Sequence, residues 1–495
     1  MLFNSLEFLL FLPIVFLLYW FVFRGRRWQN LLIVVASYVF YGWWDWRFLS
    51  LLAFTSLCSY ISGLMLERYE GNRKVQRIVS TGNIVLNIAI LGVFKYFNFF
   101  VDNLDLLFTS LFNYHIDWVT LKVVLPIGIS FYTFQALSYS IDVYQKKLPA
   151  THDIVEFFAY ISFFPQLVAG PIERATNLLP QFQGDRHFDQ SKAVDGLRQM
   201  LWGFAKKIVV ADSCAEIVNG YWGSYSQMSG VSLFVLGVLF SFQIYCDFSG
   251  YSDIAIGTAR LFGFNLMRNF NYPYFSRSIP EFWRRWHISL TTWFRDYIYI
   301  PLGGSRPEIP AHIKHPDRYK KWIIVRNTFV IFLLSGFWHG ANWTFIAWGA
   351  YHALLFLPLI LLGKNRKYTN QVAEGRPLPT WKECLQMLVT FALVVLGWII
   401  FRAPHMPTLF HYLQGMCDIS LFAKPKWLGK WQFLSNCIFI LIMLLVEWLQ
   451  RNKQHGLEMY NRRFPRIVQI LIYSVIALIT LIFRGGAIDF IYFQF

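Results

Sequence analysis

The chain has 495 residues, of which 56% are hydrophobic and only 15% are charged, and its mean hydropathy is +0.40. Soluble domains carry roughly 25% charged residues, so this composition excludes a soluble globular protein and predicts a polytopic integral membrane protein. The formal net charge of +17 is better explained by basic clusters at the cytoplasmic ends of membrane helices. We do not expect the protein to bind nucleic acid.

Apolar runs that approach the ~20 residues needed to cross the hydrocarbon core recur along the chain. They cover residues 9–23, 30–44, 48–66, 78–101, 119–141, 154–169, 200–210, 231–248, 323–338, 343–362, 385–401, 431–446 and 467–483. Several are too short to cross alone, so we expect an all-α fold with about eleven transmembrane helices and additional re-entrant or interfacial helices. The alternation of basic and acidic connections predicts an exterior N-terminus and a multi-pass protein of the bacterial inner membrane.

Polar residues enter the apolar pattern from residue 126 onwards. The segment 126–144 includes Thr133 and Gln135, which predicts a surface that faces protein or a water-filled cavity. Residues 163–175, FFPQLVAGPIERA, contain prolines and a glycine that predict a broken helix. Residues 243–257 carry Asp247 and Asp253 in apolar surroundings, where the carboxylates would either orient a partner group or form a hydrogen bond at a helix interface.

The segment 265–321 is the least lipid-like part of the chain. Between Arg260 and Arg326 there are twelve basic and four acidic residues, a net charge of +8. Its aromatic residues alternate with charged ones in SIPEFWRRWHISLTTWFRDYIYIPLGG, a mixture typical of helices at or below a membrane interface. The basic side chains, Arg284 and Arg285 among them, would bind either anionic lipid headgroups or the phosphates of a soluble donor.

Two of the eleven histidines differ from the others in their setting. His287 ends the run WRRWH, and His339 lies in SGFWHGANWTF, residues 335–345, beside Trp338 and close to Asn342. An ionisable residue at membrane depth predicts function, although an imidazole that only bonds a neighbouring helix is the structural alternative. A buried neutral imidazole can accept a proton from a hydroxyl and pass it to a leaving group, which is what acyl transfer from a thioester to an alcohol requires.

Motifs of several other chemistries are missing from the sequence. There is no GxxxxGK[ST], no GxGxxG between a strand and a helix, no HExxH and no GxSxG, so nucleotide hydrolysis, dinucleotide chemistry, zinc proteolysis and α/β-hydrolase chemistry lack their signatures. The six cysteines occur singly, without metal-binding spacing. We therefore expect no metal and no tightly bound cofactor.

The sequence resembles the membrane-bound O-acyltransferase family. The resemblance rests on residues 245–304, on SGFWHGANWTFIAWGAYH at residues 335–352 and on FFPQLVAGPIERA, and it extends over essentially the whole chain. Within the family, the chain looks most like the bacterial branch that serves alginate O-acetylation and teichoic-acid D-alanylation.

The resemblance implies a ring of transmembrane helices around a thin central region, with a funnel from the exterior and a cytoplasmic opening for the acyl donor. It also implies that His339 is the catalytic histidine and that His287 is a second histidine on the donor side. On their chemistry alone, Trp338, Asn342, Asp247, Arg284 and Arg285 are candidates for binding substrate or donor. We expect a single domain with peripheral helices in residues 1–118, a catalytic core in 119–362 that includes the interfacial segment 265–321, and C-terminal helices in 363–495.

The expected reaction moves an acyl group, most simply acetyl, from a cytoplasmic thioester to an exterior hydroxyl, with His339 as the general base. The donor would be acetyl-CoA or an acyl carrier protein. The acceptor would be an exopolysaccharide such as alginate, reached through periplasmic acetyltransferase partners of the SGNH-hydrolase type. Three alternatives stay open: D-alanyl transfer from a carrier protein to teichoic acid, a non-catalytic conduit for acyl groups or polymer, and a scaffold that binds the headgroups of membrane lipids.

Overall fold

The computed structural model describes residues 1–113, 124–310, 313–423, 430–458, 465–483, 488, 490 and 491. Within these ranges the regular secondary structure is entirely helical, which confirms the predicted all-α class. The start of the predicted run 119–141 and the predicted boundary between residues 118 and 119 lie outside the described residues.

The helices follow one another along the chain, with longer connections after Leu261, Phe294 and Leu361. The first half contains α1 (Leu6–Leu17), α2 (Arg26–Asp45), α3 (Leu49–Arg68), α4 (Arg73–Leu91), α5 (Phe97–Phe112), α6 (Ile129–Tyr144), α7 (Ile154–Ser162), α8 (Phe164–Leu167), α9 (Ala175–Gln183), α10 (Gln190–Phe204) and α11 (Ser213–Trp222). The second half contains α12 (Gly230–Leu261), α13 (Ile279–Arg285), α14 (Ile288–Phe294), α15 (Pro316–His339), α16 (Trp343–Leu361), α17 (Trp381–Arg402), α18 (Met406–Met416), α19 (Lys430–Leu449) and α20 (Arg466–Ile482). Four π-helical segments extend these helices: Leu18–Val22, Gly92–Tyr96, Ala205–Asp212 and Arg295–Tyr299.

Seven helical stretches of the described chain are long and apolar enough to cross a membrane. They are Arg26–Arg68, Arg73–Phe112, Gly230–Leu261, Pro316–His339, Trp343–Leu361, Trp381–Arg402 and Lys430–Leu449. Leu6–Val22 and Arg466–Ile482 are shorter apolar helices. Large apolar side chains such as Leu441 and Leu388 are exposed along these stretches, as expected of surfaces that face lipid. The protein is therefore a multi-pass membrane protein.

The predicted break in FFPQLVAGPIERA is present. Helix α7 ends at Ser162, the four-residue α8 follows, and the chain runs without helix until Ala175. Pro165 starts α8 and Pro171 follows its end, as expected from a residue that has no backbone N–H to donate. The segment is buried, and Glu173 within it accepts hydrogen bonds from Asn177 Nδ2 at 2.6 Å and from the backbone N–H of Met267.

The described chain divides into two compact units. The first unit comprises Met1–Leu197 and Ile254–Met267, and the second comprises Arg198–Asp253 and Arg268–Phe495. The core of the first unit is rich in aromatic contacts, for example between Phe163 and Phe264 at 4.7 Å. Both histidines singled out in the sequence belong to the second unit.

Helices α15 and α16 form a closely packed pair within the second unit. Gly349 of α16 faces the backbone of α15, and a Cβ atom there would lie 2.9 Å from the carbonyl carbon of Phe332 and 3.2 Å from Cα of Leu333. Gly336 of α15 faces the backbone of α16 in the same way, with Phe345 as its neighbour. Small residues therefore allow the two backbones to approach, as is common between membrane helices.

The connection between these helices is short and well capped. Helix α15 ends at His339, and α16 begins after Asn342, whose side chain accepts a hydrogen bond from the Thr344 N–H at 3.1 Å. Asn342 Nδ2 also donates to the carbonyl oxygen of Pro404 at 2.7 Å. This cap fixes the turn that follows His339.

Candidate active site

Both histidines line one cavity of about 490 Å³ in the second unit. Helices α13, α14, α15 and α16 provide most of its wall. Its lining is largely aromatic, with a few hydroxyl groups and three arginines. The aromatic residues are Trp283, Trp286, Phe294, Phe332 and Phe356, the hydroxyl residues include Thr291, Thr328 and Ser335, and the arginines are Arg284, Arg295 and Arg366. Such a volume and a mainly apolar wall are typical of sites for small molecules.

His339 is held in this wall by aromatic rings. It is the last residue of α15, and only 5% of its surface is exposed. The rings of Trp338, Trp348 and Phe401 lie 4.8, 5.2 and 5.1 Å from its imidazole, measured between ring centroids. Tight packing of this kind restricts the rotamers of the imidazole and excludes bulk water, so His339 can exchange protons only with groups inside the cavity.

His287 reaches the same cavity from the junction of two short helices. It lies between α13 and α14 with φ 43° and ψ 55°, a left-handed conformation that few residues other than glycine adopt. It is 1% exposed, and its Nδ1 atom lies 3.1 Å from Oδ1 of Asn269. Burial lowers the pKa of His287 to about 3, so the imidazole is neutral at physiological pH.

Trp338 contacts both imidazoles. Its ring centroid lies 4.8 Å from that of His339 and 6.1 Å from that of His287. The structure therefore brings His287, His339 and Trp338 together, and Arg284 lines the same cavity. Arg284 donates hydrogen bonds to the carbonyl oxygens of Asn365 and Tyr368 at 2.7 and 2.5 Å.

A second, more polar cavity of about 820 Å³ adjoins the first. The two share Arg295, Tyr299, Ser305 and Arg366 in their walls. The second cavity adds Arg306 and Arg326, whereas Glu308 is the only acidic residue that the described chain contributes to its lining. The resulting excess of positive charge suits a ligand with phosphate groups.

Four of the predicted binding residues do not line either cavity: Trp338, whose contacts are given above, and Asp247, Arg285 and Asn342. Asp247 pairs with Lys207 at 2.8 Å and accepts a hydrogen bond from the backbone N–H of Ile491 at 2.7 Å. Arg285 pairs with the buried Glu281 at 2.9 Å, and Asn342 caps α16 as described above. These contacts hold helices and connections together, which is the helix-interface alternative that the sequence left open for Asp247.

Asp253 has a similar structural setting. Its carboxylate lies 2.7 Å from Lys206 Nζ, and Gln199 Nε2 donates to it at 2.7 Å. Lys207, next to Lys206, also pairs with Asp212 at 2.8 Å. The buried charges of α12 and of the preceding π-helical segment are thus paired with one another, as burial requires.

The sequence did not single out Asn269, Arg295 or Arg366 individually. Asn269 is fully buried beside His287, and the two arginines lie where the two cavities meet. The basic character of residues 265–321 indicated the region of Arg295. For Asn269 the available signal was an amide among aromatic residues in MRNFNYPYF, which does not reveal its contact with a histidine eighteen positions later.

Comparison with known proteins adds independent information. A model of the membrane-bound O-acyltransferase family matches residues 38–382, a range that includes His287 and His339. The chain is 42% identical over 435 residues, which is 87% of this chain and 76% of the relative, to a Pseudomonas aeruginosa protein named probable alginate O-acetylase. It is 33% identical over 450 residues, 85% of this chain and 80% of the relative, to the peptidoglycan O-acetyltransferase of Helicobacter pylori. It is 29% identical over 288 residues, 56% of this chain and 68% of the relative, to the teichoic acid D-alanyltransferase of Bacillus subtilis.

Proposed function

The chain belongs to the membrane-bound O-acyltransferase family and is an O-acyltransferase, and we propose that it moves an acetyl group from a cytoplasmic thioester to a hydroxyl on the other side of the membrane. The observation that carries this proposal is the shared cavity lined by His287 and His339. The acceptor would be a hydroxyl of an exopolysaccharide such as alginate, because relatives that are 41% and 42% identical to the chain are named for alginate O-acetylation.

In the proposed reaction His339 is the general base. Its imidazole removes the proton of the acceptor hydroxyl as the oxygen attacks the thioester carbonyl carbon, so that the new C–O bond forms. When the tetrahedral intermediate collapses, the C–S bond breaks and the departing thiolate takes the proton from the imidazolium of His339. The proton taken from the hydroxyl thus leaves with the thiol, and His339 is neutral again. The aromatic wall around His339 limits competing attack by water.

His287 would act on the donor side of the same cavity. Because burial keeps its pKa far below neutrality, its neutral imidazole offers a hydrogen-bond acceptor and not a positive charge. This favours a role in holding the donor chain or in relaying a proton over electrostatic stabilisation of the tetrahedral intermediate.

Acetyl-CoA is the donor that we propose. Its thioester arm would occupy the cavity lined by the histidines, and its phosphates would bind the second cavity, where Arg295, Arg306, Arg326 and Arg366 lie. A concave site of about 820 Å³ matches a nucleotide in size better than it matches the flat surface of a carrier protein.

The proposal includes an arrangement in the membrane. We propose about eleven crossings in a ring around a thin centre, an exterior N-terminus and a location in the bacterial inner membrane. At the exterior side the acetyl group would be transferred to periplasmic partners of the SGNH-hydrolase type or directly to the polysaccharide. Lipids would contact the exposed apolar helix faces.

D-alanyl transfer from a carrier protein to teichoic acid is the second candidate. One observation favours it, namely the similarity to the teichoic acid D-alanyltransferase of Bacillus subtilis, but this covers only 56% of the chain at 29% identity. A conduit without chemistry of its own would use the same cavity but would not depend on His339.

The test is transfer of radiolabelled acetyl from acetyl-CoA by purified protein in lipid nanodiscs, with candidate polysaccharide added. We expect transfer by the wild type, none by His339→Ala, and wild-type transfer by His411→Ala, in which an exposed histidine is removed. Equal transfer by the wild type and His339→Ala would refute the general-base role. Transfer only when a carrier-bound acyl group replaces acetyl-CoA would support the second candidate.

A further inference from the structure

We infer that Asn269 is a positioning residue for acyl transfer, because its side-chain oxygen fixes His287 in the tautomer that carries hydrogen on Nδ1 and leaves the lone pair of Nε2 for the molecule in the cavity. This inference rests on the proposed function of the cavity. It concerns a residue that acts through His287 and does not itself line the cavity.

The orientation of the Asn269 amide follows from a backbone donor. The N–H of Ser289 lies 3.3 Å from Oδ1 of Asn269, and a backbone N–H can only donate. The reversed amide would direct its own NH₂ group at this N–H. In the observed orientation Nδ2 donates to Ser252 Oγ at 3.1 Å, and Ser289 Oγ donates to Oδ1 at 2.9 Å.

The tautomer of His287 follows from that orientation. Its Nδ1 atom lies 3.1 Å from Oδ1 of Asn269, which is an acceptor, and 3.4 Å from Oγ of Ser289. The Ser289 hydroxyl donates to Oδ1 over the shorter distance of 2.9 Å, so Nδ1 supplies the hydrogen of its own contact with Oδ1. A neutral imidazole has only one ring hydrogen, and Nε2 is therefore an acceptor. The side chains of Asn269, His287 and Ser289 are at most 1% exposed, so water does not compete freely for these bonds.

The same segment also fixes the backbone of His287. The N–H of Ile288 donates to the carbonyl oxygen of Asn269 at 2.9 Å, and the N–H of Asn271 donates to the carbonyl oxygen of Arg285 at 2.9 Å. These two bonds flank His287 and hold it in its left-handed conformation, which a non-glycine residue keeps only when its surroundings enforce it. Residues 269–271 thus fix the backbone conformation of His287, and Asn269 also fixes the hydrogen bond of its imidazole.

Nε2 is left to the occupant of the cavity. This atom is buried and has no hydrogen-bond partner among the residues that the structure describes, while the imidazole itself lines the cavity. The rings in contact with it, Phe248, Phe270 and Trp338, are uncharged. The charged residues of the cavity lining are Arg284, Arg295 and Arg366. A bound molecule that presents an N–H or O–H group, such as the amide of a pantetheine arm, would satisfy Nε2.

The tautomer can be measured without reference to activity. Solid-state NMR of ¹⁵N-histidine protein in liposomes distinguishes protonated from unprotonated ring nitrogens, and the signals of His287 are those lost in His287→Asn. We expect Nδ1–H in the wild type, Nδ1–H in Asn269→Asp, which keeps an acceptor oxygen, and a shift towards Nε2–H in Asn269→Ala. Nε2–H in the wild type would overturn the inference, and this result needs no variant to fold.

Transfer kinetics then test whether this positioning matters. For Asn269→Ala we expect kcat to fall by about 10- to 100-fold with the KM for acetyl-CoA nearly unchanged, as for other residues that orient a functional histidine. Asn269→Asp should restore most of kcat and add a pH dependence, since a carboxylate beside Nδ1–H raises the pKa of His287. The control is Asn452→Asp, an exposed amide outside both cavities, which should leave the kinetics unchanged.

The outcomes separate the two proposals. If Asn269→Ala has the tautomer and the kinetics of the wild type, Asn269 does not position His287 and the inference fails. If the wild type shows Nδ1–H but transfers no acetyl from any thioester, the proposed function fails while the geometry of Asn269 and His287 is confirmed.

Discussion

Replacement of Gly349 by alanine tests whether the close approach of α15 and α16 holds His339 in place. The added Cβ would lie 2.9 Å from the carbonyl carbon of Phe332 and 3.2 Å from Cα of Leu333, where ordinary van der Waals contacts begin at 3.4 Å. The carbonyl oxygen of Phe332 would lie closer still, and because all three neighbours are backbone atoms that cannot turn aside, the helices must separate by on the order of 1 Å. Overpacking of this kind typically costs about 1–3 kcal/mol.

The separation should also impair catalysis, because α15 ends at His339. A displacement of about 1 Å in a catalytic group can lower the rate by about 100-fold, so kcat should fall by roughly 10- to 100-fold. We expect Gly349→Ala to have a lower apparent melting temperature in nanodiscs and reduced acetyl transfer. The control is Gly220→Ala in α11, where a Cβ would meet nothing within 4 Å and the higher helix propensity of alanine should stabilise the helix by up to about 1 kcal/mol. A Gly349→Ala protein with wild-type melting and transfer would refute this reasoning.

Three further predictions concern charge. Lys207→Met leaves two buried carboxylates without their cation, so the free energy of unfolding should fall by about 3–5 kcal/mol, whereas Lys192→Met at an exposed position should leave the melting temperature unchanged. Arg366→Ala should raise the KM for acetyl-CoA by about 3- to 10-fold with little change in kcat, because Arg366 lines both cavities. Arg318→Ala, outside both cavities, should leave the KM unchanged. Equal KM values for the two variants would argue against phosphate binding at Arg366. Burial lowers the pKa of His287 from 6.5 to about 3, so the unfolded state binds a proton more readily than the folded state between these two pH values. The stability of the folded protein is therefore complete above pH 6.5 and falls as the pH drops from 6.5 towards 3. Acidification should lower the melting temperature less in His287→Asn than in the wild type.

Much of the architecture could be predicted from the sequence because the bilayer restricts the choices. Runs of apolar residues such as 343–362 and 385–401 correspond to α16 and α17, since a chain in lipid must satisfy its backbone hydrogen bonds within each helix. The prolines of FFPQLVAGPIERA similarly predicted a break that is present. Helix α12 was predicted too short, because its polar residues after Phe248 interrupt the apolar pattern but are satisfied by buried partners such as Lys206, which contacts Ser249 and Asp253.

The site was predicted only in part. The apolar surroundings of His339 and the aromatic surroundings of His287 marked both residues, and the structure places both in one cavity. Asp247 and Arg285 looked equally promising, because a buried charge in a sequence does not reveal whether its partner is a ligand or another side chain. Their ion pairs with Lys207 and Glu281 depend on tertiary packing. The role of Asn269 depends on an amide orientation, which no pattern in the sequence encodes.

The interleaving of the two compact units has a consequence for biogenesis. The first unit needs Ile254–Met267, which the ribosome makes seventy residues after Leu197, and the second unit has already begun by then. At about 5–20 residues per second, the first unit stays incomplete for several seconds after its long N-terminal part has entered the membrane. During that interval insertion machinery or chaperones must shield its unfinished core. A gene cut after codon 197 would therefore yield an N-terminal fragment that lacks Ile254–Met267 and so does not contain the whole first unit.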